Sequence, residues 1–357
     1  MRLHEKVVRS RAPLRVSLAG GGTDVPPYPE TYGGAVVSAT INMFARCTVQ
    51  GLEGDEIIVR SNDLNQVASF ASQSVPTFDG NLDLVKAIFR RLDVTAPVGM
   101  SVSLDSDAPP GSGLGSSSAM VVAVIAALSR FYGLELTPRE IANVACVVER
   151  EDLGISGGLQ DQYAASFGGF NYIEFSNHVE IMPLRLSAAM RLELESHMVL
   201  GFSGATRLSG SILSRQIGNV VSSREDTMRG LQRLKTLATQ LRRALHLEDL
   251  EEVAALVDEG WRAKRELAEG ITSSALDGVH LAAMNSVALG GKLLGAGGGG
   301  YFLFFVPPSR FGEVSNGLAA AGITARRGVE LCEAGVLSWE VPRVRIDLPR
   351  PFARVRS

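Results

Sequence analysis

Cysteine is scarce in this chain. Its 357 residues include three, Cys47, Cys146 and Cys332, widely spaced and odd in number. That excludes a disulfide framework and a cysteine metal knuckle, and it suits a reducing cytoplasm. Histidine is scarce too. His4, His178, His197, His246 and His280 stand singly, so each reads as a surface or packing residue rather than a ligand. Neither sign of charge dominates. A net charge of -3 lacks the basic excess that a nucleic-acid partner selects. Long apolar runs are missing as well. The longest, Ala119 to Leu128, is about half a membrane span, and Met1 to Lys6 leads into no apolar signal region. No membrane partner is expected. At 357 residues a single hydrophobic core is rarely enough, so two domains are expected.

Glycine, by contrast, is plentiful, with 38 residues, and it is clustered. The densest cluster is Ala108-Pro-Pro-Gly-Ser-Gly-Leu-Gly-Ser-Ser-Ser-Ala119. Glycines let a backbone turn sharply and approach a ligand closely. The serines open an apolar helix, whose free N–H groups and dipole attract anions. The stretch reads as a phosphate-binding loop over Pro110, Gly111, Ser112, Gly113, Leu114, Gly115, Ser116, Ser117 and Ser118. It is not a Walker A motif, because no Lys-Ser or Lys-Thr pair follows its last glycine. A second cluster, Gly295-Ala-Gly-Gly-Gly-Gly300, matches G-x-G-x-x-G but precedes a strand-like run, so it is no Rossmann fingerprint. It is either a tight hairpin or a second backbone wall around the first loop's ligand. A third cluster, Gly154 to Gly158, lies just before Asp161.

Periodicity predicts strands over 7–19, 35–49 and 56–60, with a hairpin at 51–55. It predicts helices over 81–92, 118–132 and from Pro138 to about Glu151. Thr137-Pro-Arg-Glu140 is a capping box, and Gly133 a C-cap. Hairpin strands are expected over 170–175 and 179–184, a strand over 198–202, and a closing strand over 336–341. The texture changes near residue 190, which divides the chain into 1–190 and 191–357.

Two acids stand near the glycine clusters. Glu149 and Asp161 offer what magnesium-assisted phosphoryl transfer needs: one carboxylate for the hard cation, the other to orient a hydroxyl and take its proton. Both could instead be solvated surface acids, a reading that the flanking glycines weaken for Asp161. Arg15, in an otherwise apolar strand, could neutralise transition-state charge or face solvent. Asp24, after Gly20-Gly-Gly-Thr, could accept from a polyol or simply form the turn. Arg207, beside Thr206, could bind an anion or sit on the surface.

Taken together, Arg11 to Asp24, Pro109 to Ala119 and Lys292 to Gly300 resemble, in order, the three motifs of the GHMP kinases, the family of galactokinase, homoserine kinase and mevalonate kinase. The resemblance implies an α+β fold of two domains. The first is like domain 2 of ribosomal protein S5, the second is ferredoxin-like, and the site lies between them. It implies ATP and Mg2+, with Ser117 and Glu149 as magnesium ligands, Asp161 as base and Arg15 beside it. It also implies that 295–300 packs against the nucleotide loop. Galactokinases carry Gly-Glu-His where this chain has Gly20-Gly-Gly, which weakens a galactose reading. Gly20-Gly-Gly-Thr-Asp24, Thr206-Arg207 and the stretch from Trp261 to Leu267 are similar to the sugar-1-kinase branch. That branch implies phosphorylation of the anomeric hydroxyl of D-glycero-D-manno-heptose 7-phosphate, towards nucleotide-activated heptose and surface polysaccharide. L-Fucose, a non-sugar alcohol or a non-catalytic sugar sensor are the alternatives. Substrate contacts are expected from Gly22, Thr23, Asp24, Gly158, Gly297 and Gly298, with Arg207 and Lys264 on the remote phosphate. A homodimer is left open.

Overall fold

The computed structural model describes residues 3–94, 98–204, 210–326 and 328–342. Among these residues twelve strands run in chain order: β1 (Val7–Ala19), β2 (Gly34–Leu52), β3 (Glu56–Ser61), β4 (Gln66–Ala71), β5 (Gly99–Ser106), β6 (Phe170–Phe175), β7 (Val179–Pro183), β8 (Met198–Phe202), β9 (Gly290–Leu293), β10 (Tyr301–Phe305), β11 (Ala325–Arg326) and β12 (Leu337–Glu340). The helices are α1 (Tyr28–Tyr32), α2 (Asp83–Leu92), α3 (Ser116–Tyr132), α4 (Pro138–Val147), α5 (Gln160–Phe167), α6 (Ala188–His197), α7 (Gly210–Val221), α8 (Glu225–His246), α9 (Leu250–Arg265), α10 (Ser274–Asn285) and α11 (Phe311–Ala320). Among the described residues no helix is long and apolar enough to cross a membrane.

Two sheets result. The larger has eight strands, with the path β12-β1-β2-β5-β3-β4 and with β6 and β7 branching from β2. β2 makes the branch possible by its length. Residues 45–52 pair with β5, while residues 34–39 pair with β6. The smaller sheet has the order β11-β8-β10-β9, all antiparallel. With α7 to α10 between β8 and β9, and α11 between β10 and β11, this is the split β-α-β arrangement of ferredoxin-like domains.

Helix α3 is apolar on nearly every side and buried through most of its length. It packs on β1 and β2, as an all-round hydrophobic helix must. Gly133, with φ 76°, caps its end, and the Thr137–Glu140 capping box starts α4. The expected helix to Glu151 departs from regular geometry at its end. Val148–Asp152 is a π-helical turn, a distortion often found where a helix serves a site.

Two expectations about pairing change. Residues 51–55 join β2 to β3, but no hairpin forms. β5 lies between them, antiparallel to β2 and parallel to β3. Its Met100, Val102 and Leu104 are buried, so β5 takes the central place. The closing strand β12 pairs with β1, so the chain after residue 190 returns to the first sheet.

Candidate active site

The glycine-serine loop leads from β5 into α3. Gly115, the N-cap, has φ 72° and no side chain to cap the helix. The first intrahelical bond is Ala119 N–H to Gly115 O at 2.9 Å. The first-turn N–H groups therefore remain available to an anion. Ser117 is exposed here, while Ser116 and Ser118 are buried. Ser116 donates to Pro109 O at 3.2 Å, and Ser118 donates to Glu149 Oε1 at 3.0 Å.

The second glycine cluster packs directly on this loop. A Cβ on Gly113 would lie 2.5 Å from Leu294 O, and one on Gly300 2.5 Å from Ser112 O. Tyr301 N–H donates to Ser112 O at 2.8 Å. Backbone meets backbone, so only glycine fits. Gly295–Gly300 thus turns the antiparallel β9–β10 hairpin and also forms a wall on the first loop, so the two options that its pattern left open hold together.

Both loops border one cavity of about 480 Å³, a volume suited to a small-molecule site. Its walls include Arg15, Gly22, Asp24, Pro110, Gly111, Gly113, Gly115, Ser116–Ser118, Glu149, Gly158, Asp161, Lys264 and Gly297. Most of the residues singled out in the sequence therefore share one wall. Ser112 and Leu114 lie behind it, fully buried, and hold the loop in shape. Leu114 O accepts from Arg15 N–H at 3.0 Å. Thr23 is corrected. Its hydroxyl donates to Gly20 O and accepts from Ala35 N–H at 3.0 Å. It is fully buried and off the cavity wall, so it shapes the loop instead of meeting a substrate. Gly298 also lies off the wall; its N–H donates to Ile271 O at 2.8 Å. Arg207 lies outside the described residues.

Arg15 and Asp161 form the charged centre. Arg15 Nε and Nη2 each donate to one Asp161 oxygen at 2.8 Å, and Nη1 donates to Gly113 O at 2.5 Å. This fork uses two of the carboxylate's acceptor positions and leaves the others for a hydroxyl. The Arg15 side chain is 5% exposed and that of Asp161 23%, so the acid is the more accessible partner. Glu149 is buried and takes hydrogen bonds from Ser118 and Gln162. Burial raises its pKa, opposed by Arg150 and by those two donors.

Asp24 is clamped. Its Oδ1 accepts from Gly22 N–H and Gln160 Nε2, both at 3.0 Å, and its Oδ2 accepts from Gln160 N–H at 3.1 Å. Gly158 has no room for a side chain beside it, since a Cβ would lie 1.9 Å from Asp24 Oδ2. Arg150 braces the third glycine cluster by donating to Gly158 O at 2.7 Å and Ile155 O at 2.9 Å. Lys264 donates to Gly295 O, and Lys292 to Leu18 O at 3.3 Å. Both ammoniums are buried, and burial lowers the pKa of each, that of Lys264 to about 8.

Sequence reasoning missed Ser17, Gln160, Gln216 and Lys292, all on the cavity wall. Gln160 stands next to Asp161, and Lys292 opens the third motif, so position alone could have flagged both. Gln216, which donates to Gly22 O at 3.0 Å, sits in α7 without any local signal.

Comparison with known proteins agrees with this geometry. The family described as GHMP kinases N terminal domain matches residues 82–169. A D-glycero-alpha-D-manno-heptose 7-phosphate kinase of Campylobacter jejuni is 39% identical over 310 residues, covering 85% of this chain and 91% of that protein. An L-fucokinase/L-fucose-1-P guanylyltransferase of Bacteroides fragilis is 28% identical over 83% of this chain, but over only 34% of its own length. A crystal structure described as a D-glycero-D-manno-heptose 1-phosphate kinase from Bacteroides thetaiotaomicron has a TM-score of 0.78 and 34% identity, covering 94% of this chain and 100% of that one.

Proposed function

Because this chain belongs to the GHMP kinase family, we propose that its cavity transfers the γ-phosphoryl group of ATP to the anomeric hydroxyl of D-glycero-D-manno-heptose 7-phosphate. The observation that carries this reading is the meeting of two parts on one cavity: the uncapped start of α3, and Asp161 held by the Arg15 fork. Phosphoryl transfer needs little beyond positioning and charge, and these parts supply both. The first turn of α3 and the 111–115 backbone bind the triphosphate. Asp161 accepts the anomeric hydroxyl's proton and aims its oxygen. Arg15 fixes Asp161 and adds positive charge beside the transferring group. Asp24 and Gly22 receive the sugar, and Arg207 with Lys264 serves the remote phosphate.

Ser117 and Glu149 would hold magnesium. They fit it: an exposed hydroxyl and one buried carboxylate on the same wall are hard oxygen donors, and magnesium commonly takes few protein ligands beside phosphate and water. Bound there, the ion would neutralise phosphate charge. The compartment that suits this chemistry and the three unpaired cysteines is the cytoplasm.

The test is turnover of ATP with the heptose 7-phosphate, the unphosphorylated heptose and L-fucose. The heptose 7-phosphate is expected to give the highest kcat/KM. Far better use of L-fucose would overturn the substrate and leave the family in place.

Lys264 supplies a pH prediction. Burial lowers its pKa to about 8, with Asp24 and Asp161 raising it and Arg15 lowering it; Lys292 faces it as well. The folded protein thus loses this proton at lower pH than the unfolded chain. The charged form costs stability below pH about 8, and that cost fades as pH rises from there towards the ordinary lysine range. An anionic substrate needs the charged form. kcat/KM for the sugar phosphate is therefore expected to fall as pH rises through about 8. Lys264→Met should lower kcat/KM at pH 7 by about 10- to 100-fold and flatten that limb. An unchanged pH profile would exclude Lys264 from substrate binding.

A further inference from the structure

Among the described residues, two buried polar atoms of the cavity wall have no hydrogen-bond partner: Ser17 Oγ and Gln160 Oε1. Ser17 is 5% exposed and Gln160 8%. An unpaired buried polar atom costs stability, so two of them in one cavity wall call for a ligand. The Gln160 amide is fixed in orientation. Its Nε2 donates to Asp24 Oδ1 and its backbone N–H to Asp24 Oδ2. Only the donor end can face a carboxylate, which leaves Oε1 as a free acceptor.

Gly21 supplies an independent observation. Its φ lies outside the left-handed region, so its backbone does not demand glycine. A Cβ there would instead meet polar tips: Ser17 Oγ at 3.0 Å, Gln160 Nε2 at 3.6 Å and Lys264 Nζ at 4.0 Å. A side chain there would crowd the Ser17 hydroxyl, so glycine leaves that hydroxyl's tip uncovered on this side, although Gly21 itself lies off the cavity wall.

We propose that Ser17 and Gln160 form a subsite that reads one ring hydroxyl of the sugar. The hydroxyl, at the cavity wall that both residues line, donates to Gln160 Oε1 and pairs with Ser17 Oγ. Gln160 directly precedes Asp161 in the first turn of α5. A hydroxyl held here therefore fixes the ring while the anomeric hydroxyl faces Asp161. These are specificity-determining contacts, and they rest on the sugar-kinase reading above.

The test compares wild type, Ser17→Ala and Gly21→Ala on D-glycero-D-manno-heptose 7-phosphate and on its monodeoxy analogues. One deoxy position is expected to cost wild type about 10- to 100-fold in kcat/KM. Both variants should lose a similar factor on the full substrate and little more on that analogue. Ser17→Ala should keep or raise the ligand-free melting temperature, because it removes an unpaired hydroxyl; a merely structural serine would lower it on removal. Should the variants show the same deoxy penalties as wild type, the subsite is overturned and the kinase reading stands. Should wild type leave the heptose 7-phosphate untouched, the substrate reading falls and the subsite with it.

Discussion

Asp161→Asn is expected to lower kcat by about 10³- to 10⁴-fold, the upper range for loss of a general base, while ATP binding stays within a few-fold of wild type. The side chain keeps its shape but loses its charge and one acceptor. Arg15 holds both carboxylate oxygens at 2.8 Å, so the amide can keep only one of these bonds without reorienting. Stability should also fall, because the buried Arg15 guanidinium loses its counter-ion. The start of α3 is untouched, which is why ATP should still bind. Steady-state kinetics and a separate ATP titration divide the two effects. A drop below about 10-fold in kcat would remove Asp161 from proton transfer.

The second large effect is steric. Gly295→Ala is expected to destabilise the protein by about 2–4 kcal/mol and to lower kcat/KM for ATP by about 100-fold, the loss that a small misplacement of a binding loop can cause. A Cβ at 295 would lie 2.6 Å from Gly113 Cα, at a φ of +75°. Both atoms belong to backbones that cannot rotate aside, so the 111–115 loop must move. Gly154→Ala is the control. It carries a similar φ, +60°, but meets nothing within 4 Å, so it should show the conformational cost alone, about 1 kcal/mol. Thermal unfolding and ATP kinetics on the pair separate crowding from backbone strain. Equal losses in the two variants would mean that contact between the loops does not matter.

Local chemistry made much of this legible in the sequence. The glycine-serine run, the apolar helix after it and the capping box at Thr137 are short-range signals, and each formed where it was expected. Asp161 stood out as a candidate because Gly154, Gly157 and Gly158 precede it, whereas Glu149 has no glycine beside it. Long-range pairing was not. Nothing between residues 51 and 55 says that β5, from far along the chain, will separate β2 from β3, or that β12 will join β1. Thr23 misled for a related reason. A threonine beside an aspartate expected to bind a polyol reads as a ligand until Ala35, on the next strand, takes its hydroxyl. Gln160 and Ser17 carried the opposite error, since an unpaired polar atom is visible only once its neighbours are placed.

Most of the site rests on one claim, that the Arg15–Asp161 pair delivers the anomeric hydroxyl of a heptose 7-phosphate to ATP. Phosphorus NMR of the product formed from ATP, magnesium and D-glycero-D-manno-heptose 7-phosphate tests it most directly. The expected spectrum shows a new phosphate coupled to the anomeric proton, with the phosphate at carbon 7 retained, and Asp161→Asn gives almost none of it. A phosphate on any other carbon, or undiminished product from Asp161→Asn, would contradict it.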